Sequence, residues 1–151
     1  MKKTTIKDGD DMSNYTVKYN ELSARDFIYL WESVWDEAPS IEQVSLAMDN
    51  TLFRVSIYDK DKLIGMARLI GDKGLDYYIK DVAVIPEYQH KKIGSMLIKE
   101  LLKFINDNGI QNTKIFVELC AMPDVIPFYE KFGFDYNEAQ RLKMMYNIKN
   151  N

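Results

Sequence analysis

Residues 77–108 read YYIKDVAVIPEYQHKKIGSMLIKELLKFINDN, and this stretch constrains the fold more than any other in the chain. It predicts an apolar strand over residues 78–85, a short polar loop with one glycine, and a long amphipathic helix. Pro86 ends the strand, because proline cannot donate to a ladder. The helix is expected to start near Lys92 or Ile93. Its apolar positions Ile93, Met96, Leu97, Leu101, Leu102, Phe104 and Ile105 recur at three- and four-residue spacing. Between strand and helix lies Gln89-His90-Lys91-Lys92-Ile93-Gly94-Ser95. A basic loop feeding a helix N-terminus offers free backbone N–H groups, the positive end of the dipole and side-chain cations. Those are the requirements for holding a phosphate or pyrophosphate.

Charge narrows the ligand. The net charge of -3 and pI near 5.2 argue against nucleic acid as a partner. An acidic body with one basic loop suits a small anion better than a polyanion. The single cysteine, Cys120, excludes an internal disulfide and fits a reducing cytoplasm; it reads as a buried neutral thiol, since no histidine is placed to activate it. The single histidine, His90, reads as a loop residue and not as a catalyst. A cysteine-rich metal site is excluded as well, and no metal is expected. No apolar run approaches the roughly 20 residues of a membrane span, so no membrane partner is expected. Residues 1–14 lack the apolar segment of a signal peptide and are expected to form a flexible tail; residues 15–151 are expected to form one domain.

The remaining pattern alternates strands and helices. Residues 15–19 predict a first strand. Residues 22–35 predict a helix with Ser23 as N-cap, and Leu22, Phe27, Leu30, Trp31, Val34 and Trp35 on one stripe. Ser40 caps a second helix over residues 41–48, with Gln43 at the capping-box position. Residues 52–58 and 62–70 form a hairpin around Asp59-Lys60-Asp61. After the long helix, residues 114–119 predict a strand, 124–131 a short helix behind Pro123, and 134–136 and 143–148 the last strands. The order β-α-α-β-β-β-α-β-α-β-β describes an α/β domain with a mixed sheet.

Three elements in this order resemble the GNAT superfamily of acyl-CoA-dependent N-acyltransferases. At Gln89-x-x-Lys92-x-Gly94 the chain is similar to the family's Arg/Gln-x-x-Gly-x-Gly/Ala pattern. The preceding Asp81-Val82-Ala83-Val84-Ile85-Pro86-Glu87-Tyr88-Gln89 is the second element, and Pro127-Phe128-Tyr129-Glu130-Lys131-Phe132-Gly133-Phe134 the third. The resemblance implies a twisted, mostly antiparallel sheet of six to seven strands, about four flanking helices and splayed central strands. Two positions depart from the pattern. Lys92 replaces the first motif glycine; a negative φ, as a helix start requires, would tolerate its Cβ, and its ammonium would lie near the phosphates. Met122 stands where many members carry an asparagine facing the coenzyme.

The resemblance also implies roles. Backbone groups of Gln89, His90, Lys91, Lys92, Ile93, Gly94 and Ser95 would hold the pyrophosphate of acetyl-CoA. Those of Val82, Ala83 and Val84 would pair with its pantetheine arm, with Phe128 and Lys131 beside it. Tyr129 is the candidate acid for the departing thiolate; the alternative is packing in a cluster with Phe128, Phe132 and Phe134. Glu118 and Asp81 are candidate bases, Glu118 because burial in an apolar strand would raise its pKa. Trp31, Trp35 and Tyr78 would line the acceptor side, with Tyr77 and Arg68 as further candidates. The implied activity is transfer of acetyl from acetyl-CoA to a primary amine, more simply a small molecule than a protein. A protein or peptide acetyltransferase and a non-catalytic acyl-CoA sensor stay open, and the family makes a homodimer an expectation.

Overall fold

Two serines start the first two helices, each with a complete capping box. In the computed structural model, which describes residues 14–136, Ser23 accepts from the Asp26 N–H at the head of α1 (Ala24–Val34) and Asp26 reaches back to the Ser23 N–H. Ser40 and Gln43 repeat the arrangement at the head of α2 (Ile41–Asp49). Each reciprocal pair satisfies two N–H groups that helix geometry leaves without partners.

The chain divides into two compact units, one reaching Leu119 and the other starting at Cys120. The first contains β1 (Tyr15–Tyr19), α1, α2, β2 (Phe53–Asp59), β3 (Lys62–Gly71), β4 (Asp76–Val84), α3 (Ile93–Asn108) and β5 (Phe116–Leu119). A single 3-10 turn, Pro86–Tyr88, follows β4. The strands lie in the order β1-β2-β3-β4-β5, antiparallel up to β4, with β5 parallel to β4. The second unit has a 3-10 turn at Pro123–Val125 and the short α4 (Ile126–Glu130).

The α/β class with a mixed sheet is as expected, with five strands among the described residues instead of six to seven. Residues 134–136 are not a strand, and the single helix expected over 124–131 is a 3-10 turn followed by five α-helical residues. The strand expected at 143–148 and almost all of the 1–14 tail lie outside the described residues.

Five consecutive residues of β3, Leu63 to Ala67, are buried. Only a strand covered on both faces buries such a run, and both α1 and α3 pack on β3. The apolar stripe of α3 supplies Ile93, Leu97, Ile98 and Leu101, all essentially inaccessible. Each such side chain contributes about 1.5–3 kcal/mol by leaving water. Gly65 sets how closely α3 approaches. A Cβ there would lie 3.0 Å from Ile93 Cγ2 and 3.4 Å from both Leu97 Cδ1 and the Ala83 carbonyl oxygen. The sheet thus fixes the first turn of α3, where the basic loop arrives.

Candidate active site

The head of α3 contrasts with those of α1 and α2. Its N-cap is Lys92, no side chain caps it, and its first turn holds no acid. The first backbone bond of the helix runs from the Met96 N–H to the Lys92 carbonyl at 3.1 Å. The N–H groups of Ile93, Gly94 and Ser95 therefore precede the intrahelical ladder, at the positive end of a sixteen-residue helix. His90 and Lys92 both have left-handed backbones, φ 61° and 65°, on either side of Lys91. Such alternation folds successive N–H groups into an anion-binding concavity.

The left-handed Lys92 corrects the expectation of a negative φ. Helix φ begins only at Ile93, so the residue before it is free to turn the chain, and this turn needs the conformation a glycine adopts at no cost. The lysine is held there against roughly 1–2 kcal/mol of Cβ crowding.

The loop is tethered at its near end. The Gln89 side-chain amide donates to the Val84 carbonyl at 3.0 Å, closing the loop onto the end of β4. The Tyr88 phenol donates to Asp59 at 2.6 Å. That bond and the Asp59 charge push the Tyr88 pKa up to about 12. The Lys91 ammonium lies 5.2 Å and that of Lys62 5.4 Å from the centre of the Tyr88 ring, within cation–π range. His90, Lys91 and Lys92 are exposed, as loop residues serving a ligand must be.

β4 supplies a second feature. Its parallel pairing with β5 stops at Ile79–Leu119, so residues 80–84 carry a strand on the β3 side alone within this unit. Just past that point Asp81 has φ 52°. Three steps on β4, Lys80 to Ala83, there match two on β3, Arg68 to Met66, which is a bulge. The backbone of Val82, Ala83 and Val84 follows directly and leads to the loop. An unpaired strand edge ending at an anion cradle can accept an extended ligand carrying amides and phosphates.

The other predicted residues fall as follows. The Asp81 carboxylate pairs with Arg68 Nε. Arg68, read from sequence as a lining residue, also donates to Thr51 Oγ1 at 3.2 Å. Tyr78 is half-buried, with the Lys80 ammonium 5.6 Å from its ring centre. Tyr77 is instead a core residue, 1% exposed. Trp31 is half-buried and meets Trp35 edge to face at 4.8 Å; Trp35 is 41% exposed and is followed by the exposed Asp36 and Glu37. Glu118 is exposed, contrary to the burial expected of it in an apolar strand. The strand starts at Phe116, not at 114, and its alternation points residues 116 and 118 to solvent.

In the second unit, Tyr129 packs edge to face with Phe128 at 4.9 Å and with Phe134 at 6.0 Å, and Phe128 meets Phe132 at 5.4 Å. Burial pushes the Tyr129 pKa above the ordinary phenol value. Lys131 and Met122 are exposed. Cys120 is exposed as well, contrary to the buried thiol expected, because the strand ends one residue before it. Among the described residues no group of three or more His, Cys, Asp or Glu could hold a metal ion, and no helix is long and apolar enough to cross a membrane.

Sequence reasoning missed the Arg68–Asp81 pair, the bulge beside it and the Tyr88–Asp59 tether. Each joins residues at least 13 positions apart, and no local pattern marks them.

Comparison with known proteins bears on this arrangement. Residues 16–134 match the Acetyltransferase (GNAT) family. The chain is 34% identical over 128 residues to the uncharacterized N-acetyltransferase ycf52-like protein of Prochlorococcus marinus, covering 80% of this chain and 68% of that one. It is 31% identical over 137 residues to the uncharacterized N-acetyltransferase ycf52 of Pyropia yezoensis, covering 87% and 73%. Its structure superposes with a TM-score of 0.78 on a probable acetyltransferase of unknown function from meticillin-resistant Staphylococcus aureus. That match is 32% identical and covers 89% of this chain and 99% of the other. The names of these three relatives specify the reaction class and no acceptor.

Proposed function

The chain belongs to the GNAT family of acetyltransferases, and from that premise we propose that it moves acetyl from acetyl-CoA to a small primary amine by direct attack in a ternary complex. The observation that carries the donor half is the head of α3, uncapped and reached through two left-handed residues, His90 and Lys92, with Lys91 between them. Its free N–H groups and cations fit a pyrophosphate, and the strand edge at Val82, Ala83 and Val84 fits the amides of a pantetheine arm. Gln89, His90, Lys91, Lys92, Ile93, Gly94 and Ser95 would hold the phosphates, and Phe128 and Lys131 are further candidates for coenzyme binding by the family resemblance.

When bound, acetyl-CoA supplies the acyl group already activated as a thioester. The chain has to bring in a neutral amine and give the departing sulfur a proton or a hydrogen bond. Tyr129 suits the second task. A phenol near its reference pKa of about 10 donates only weakly to a thiolate of about 8.5, and burial raises it further. Its action is therefore hydrogen bonding to the sulfur as negative charge develops there. For the amine proton, the exposed Glu118 or a water relay serves best, because the Asp81 carboxylate is already engaged by Arg68.

Trp31, Trp35 and Tyr78 are our candidates for the acceptor side. Exposed indole next to Asp36 and Glu37 suits a cationic amine, by cation–π contact and by charge. We place the enzyme in the cytoplasm and take it to be a homodimer, which sedimentation would check.

An amine-library screen following free thiol tests this reading, with polyamines, arylalkylamines, amino sugars and short peptides as acceptors. Acetyl-CoA-dependent thiol release on a small amine is expected. Release on peptides alone would make the chain a protein acetyltransferase. Coenzyme binding with no thiol release on any acceptor would make it a sensor.

A further inference from the structure

Arg68 and Asp81 lie on adjacent strands, half-buried, with side chains only 15% and 11% accessible. Asp81 sits at the bulge, in the left-handed region in mid-strand. There a strand residue normally has no reason to be, and only glycine, asparagine and aspartate enter it readily. The guanidinium holds its carboxylate through Nε. A second nitrogen, Nη1, donates to Thr51 Oγ1 at 3.2 Å, and Thr51 in turn donates to the Ala47 carbonyl at 2.6 Å, in α2. The chain of contacts runs from the C-terminal end of α2 through β3 to the kink in β4. That kink comes two residues after the last β4–β5 pair and one residue before Val82.

We propose that Arg68 is a positioning residue for coenzyme binding: by clamping Asp81 against Thr51 it keeps β4 bulged at residue 81, and the bulge aims the Val82–Val84 backbone away from β5 toward the coenzyme arm. The inference rests on the donor site proposed above and assigns Asp81 a conformational role in place of proton transfer. An arginine suits the task better than a lysine, because its planar fork serves two acceptors in fixed directions. If the extra β4 residue were not held, the strand could regain regular pairing, and a one-residue slip would turn the following side chains to the opposite face.

The test uses the full chain and coenzyme A binding by calorimetry, well below each variant's melting temperature. Asp81→Ala, which loses both the clamp and the tolerance for the left-handed region, is expected to weaken binding roughly tenfold. Asp81→Gly, which takes up φ 52° without a clamp, is expected to stay within about threefold of wild type. Arg68→Met should weaken binding in the wild-type background and change it little in the Asp81→Gly background, a coupling that a double-mutant cycle measures. With a small-amine acceptor, the Asp81→Ala effect should fall on KM for acetyl-CoA and leave kcat within about threefold. Equal binding by Asp81→Ala and Asp81→Gly, or an Arg68→Met effect unchanged in the glycine background, would overturn the inference. Failure of the wild-type protein to bind coenzyme A at all would instead overturn the donor site, and this inference with it. Should Arg68→Met not fold, the alanine–glycine comparison at position 81 decides alone.

Discussion

The Tyr88 phenol donates a 2.6 Å hydrogen bond to Asp59 across 29 residues, tying the turn before the anion loop to the tip of the β2–β3 hairpin. The bond is to the protonated phenol, so the folded state holds that proton more tightly than the unfolded chain, up to a pKa of about 12. Its contribution to stability is complete below the ordinary phenol value near 10 and is lost as pH rises from there toward 12. Tyr88→Phe should therefore melt below wild type at neutral pH, and the gap should close as the scan moves from pH 9 to pH 12. The same variant should raise KM for acetyl-CoA several-fold with kcat held, because Lys91 loses a fixed ring to rest on. A constant gap across that range would show that the bond does not carry the difference.

Close contact at Gly65 leads to a second expectation. A Cβ would meet Ile93 Cγ2 at 3.0 Å, and a larger side chain would drive into the first turn of α3. Gly65→Ala asks the Cγ2 of a buried, β-branched isoleucine, stiff at χ1, to give by a few tenths of an ångström, and should be destabilising but less so than a larger side chain. Gly65→Leu should cost about 1–3 kcal/mol, the usual range for overpacking, and should weaken coenzyme A binding because the displaced turn carries Gly94 and Ser95. Denaturant unfolding and calorimetry on the same samples measure both effects. Intact binding in Gly65→Leu would show that the head of α3 is not held by its packing on β3.

At position 92 two effects of opposite sign can be separated. Lys92→Ala removes the cation and keeps a Cβ in the left-handed region; Lys92→Gly removes the cation and the crowding together. The glycine variant should be the more stable of the two by up to about 1 kcal/mol, since relief of 1–2 kcal/mol of crowding is partly offset by the entropy glycine adds to the unfolded chain. Both should bind coenzyme A more weakly than wild type, with a shallower dependence on salt, because one cation fewer meets the phosphates. Glycine and alanine variants of equal stability would show that the loop relaxes out of the left-handed region.

What could be read from the sequence follows the range of each interaction. The Ser40–Gln43 box and the Ser23 cap act over three residues, so residue types alone announce them. The stripe of α3 was legible because Ile93, Met96, Leu97, Leu101 and Ile105 all face the sheet, and all five are buried. Glu118 and Cys120 went the other way. An apolar strand suggested burial of Glu118, and the lack of an activating histidine a buried thiol at Cys120, but β5 is a four-residue strand that ends before Cys120 and whose alternation leaves Phe116 itself 73% exposed. Lys92 was misjudged because it was counted as part of the helix start, where φ is negative, whereas the helix begins at Ile93 and Lys92 before it has φ 65°. The bulge at Asp81 leaves no mark in local pattern; it is visible only in the register of β4 against β3.

Tyr129 gives the last expectation, and it bears on the chemistry itself. Its ring is held edge to face by Phe128 and Phe134, contacts that phenylalanine would keep, so Tyr129→Phe removes the hydroxyl and little packing. Burial raises the phenol pKa, and the group therefore stays protonated, able to donate, through the whole range in which such an enzyme is assayed. If the hydroxyl hydrogen-bonds the departing sulfur, Tyr129→Phe should lower kcat by about 100-fold, the low end of the range for a positioned donor, with coenzyme A affinity unchanged. Wild type should also lose stability relative to the variant once pH climbs past 10, since the unfolded chain then releases a proton that the buried phenol keeps. A variant with wild-type turnover would leave Tyr129 as a member of the aromatic cluster and nothing more, and would move the search for the proton donor to solvent.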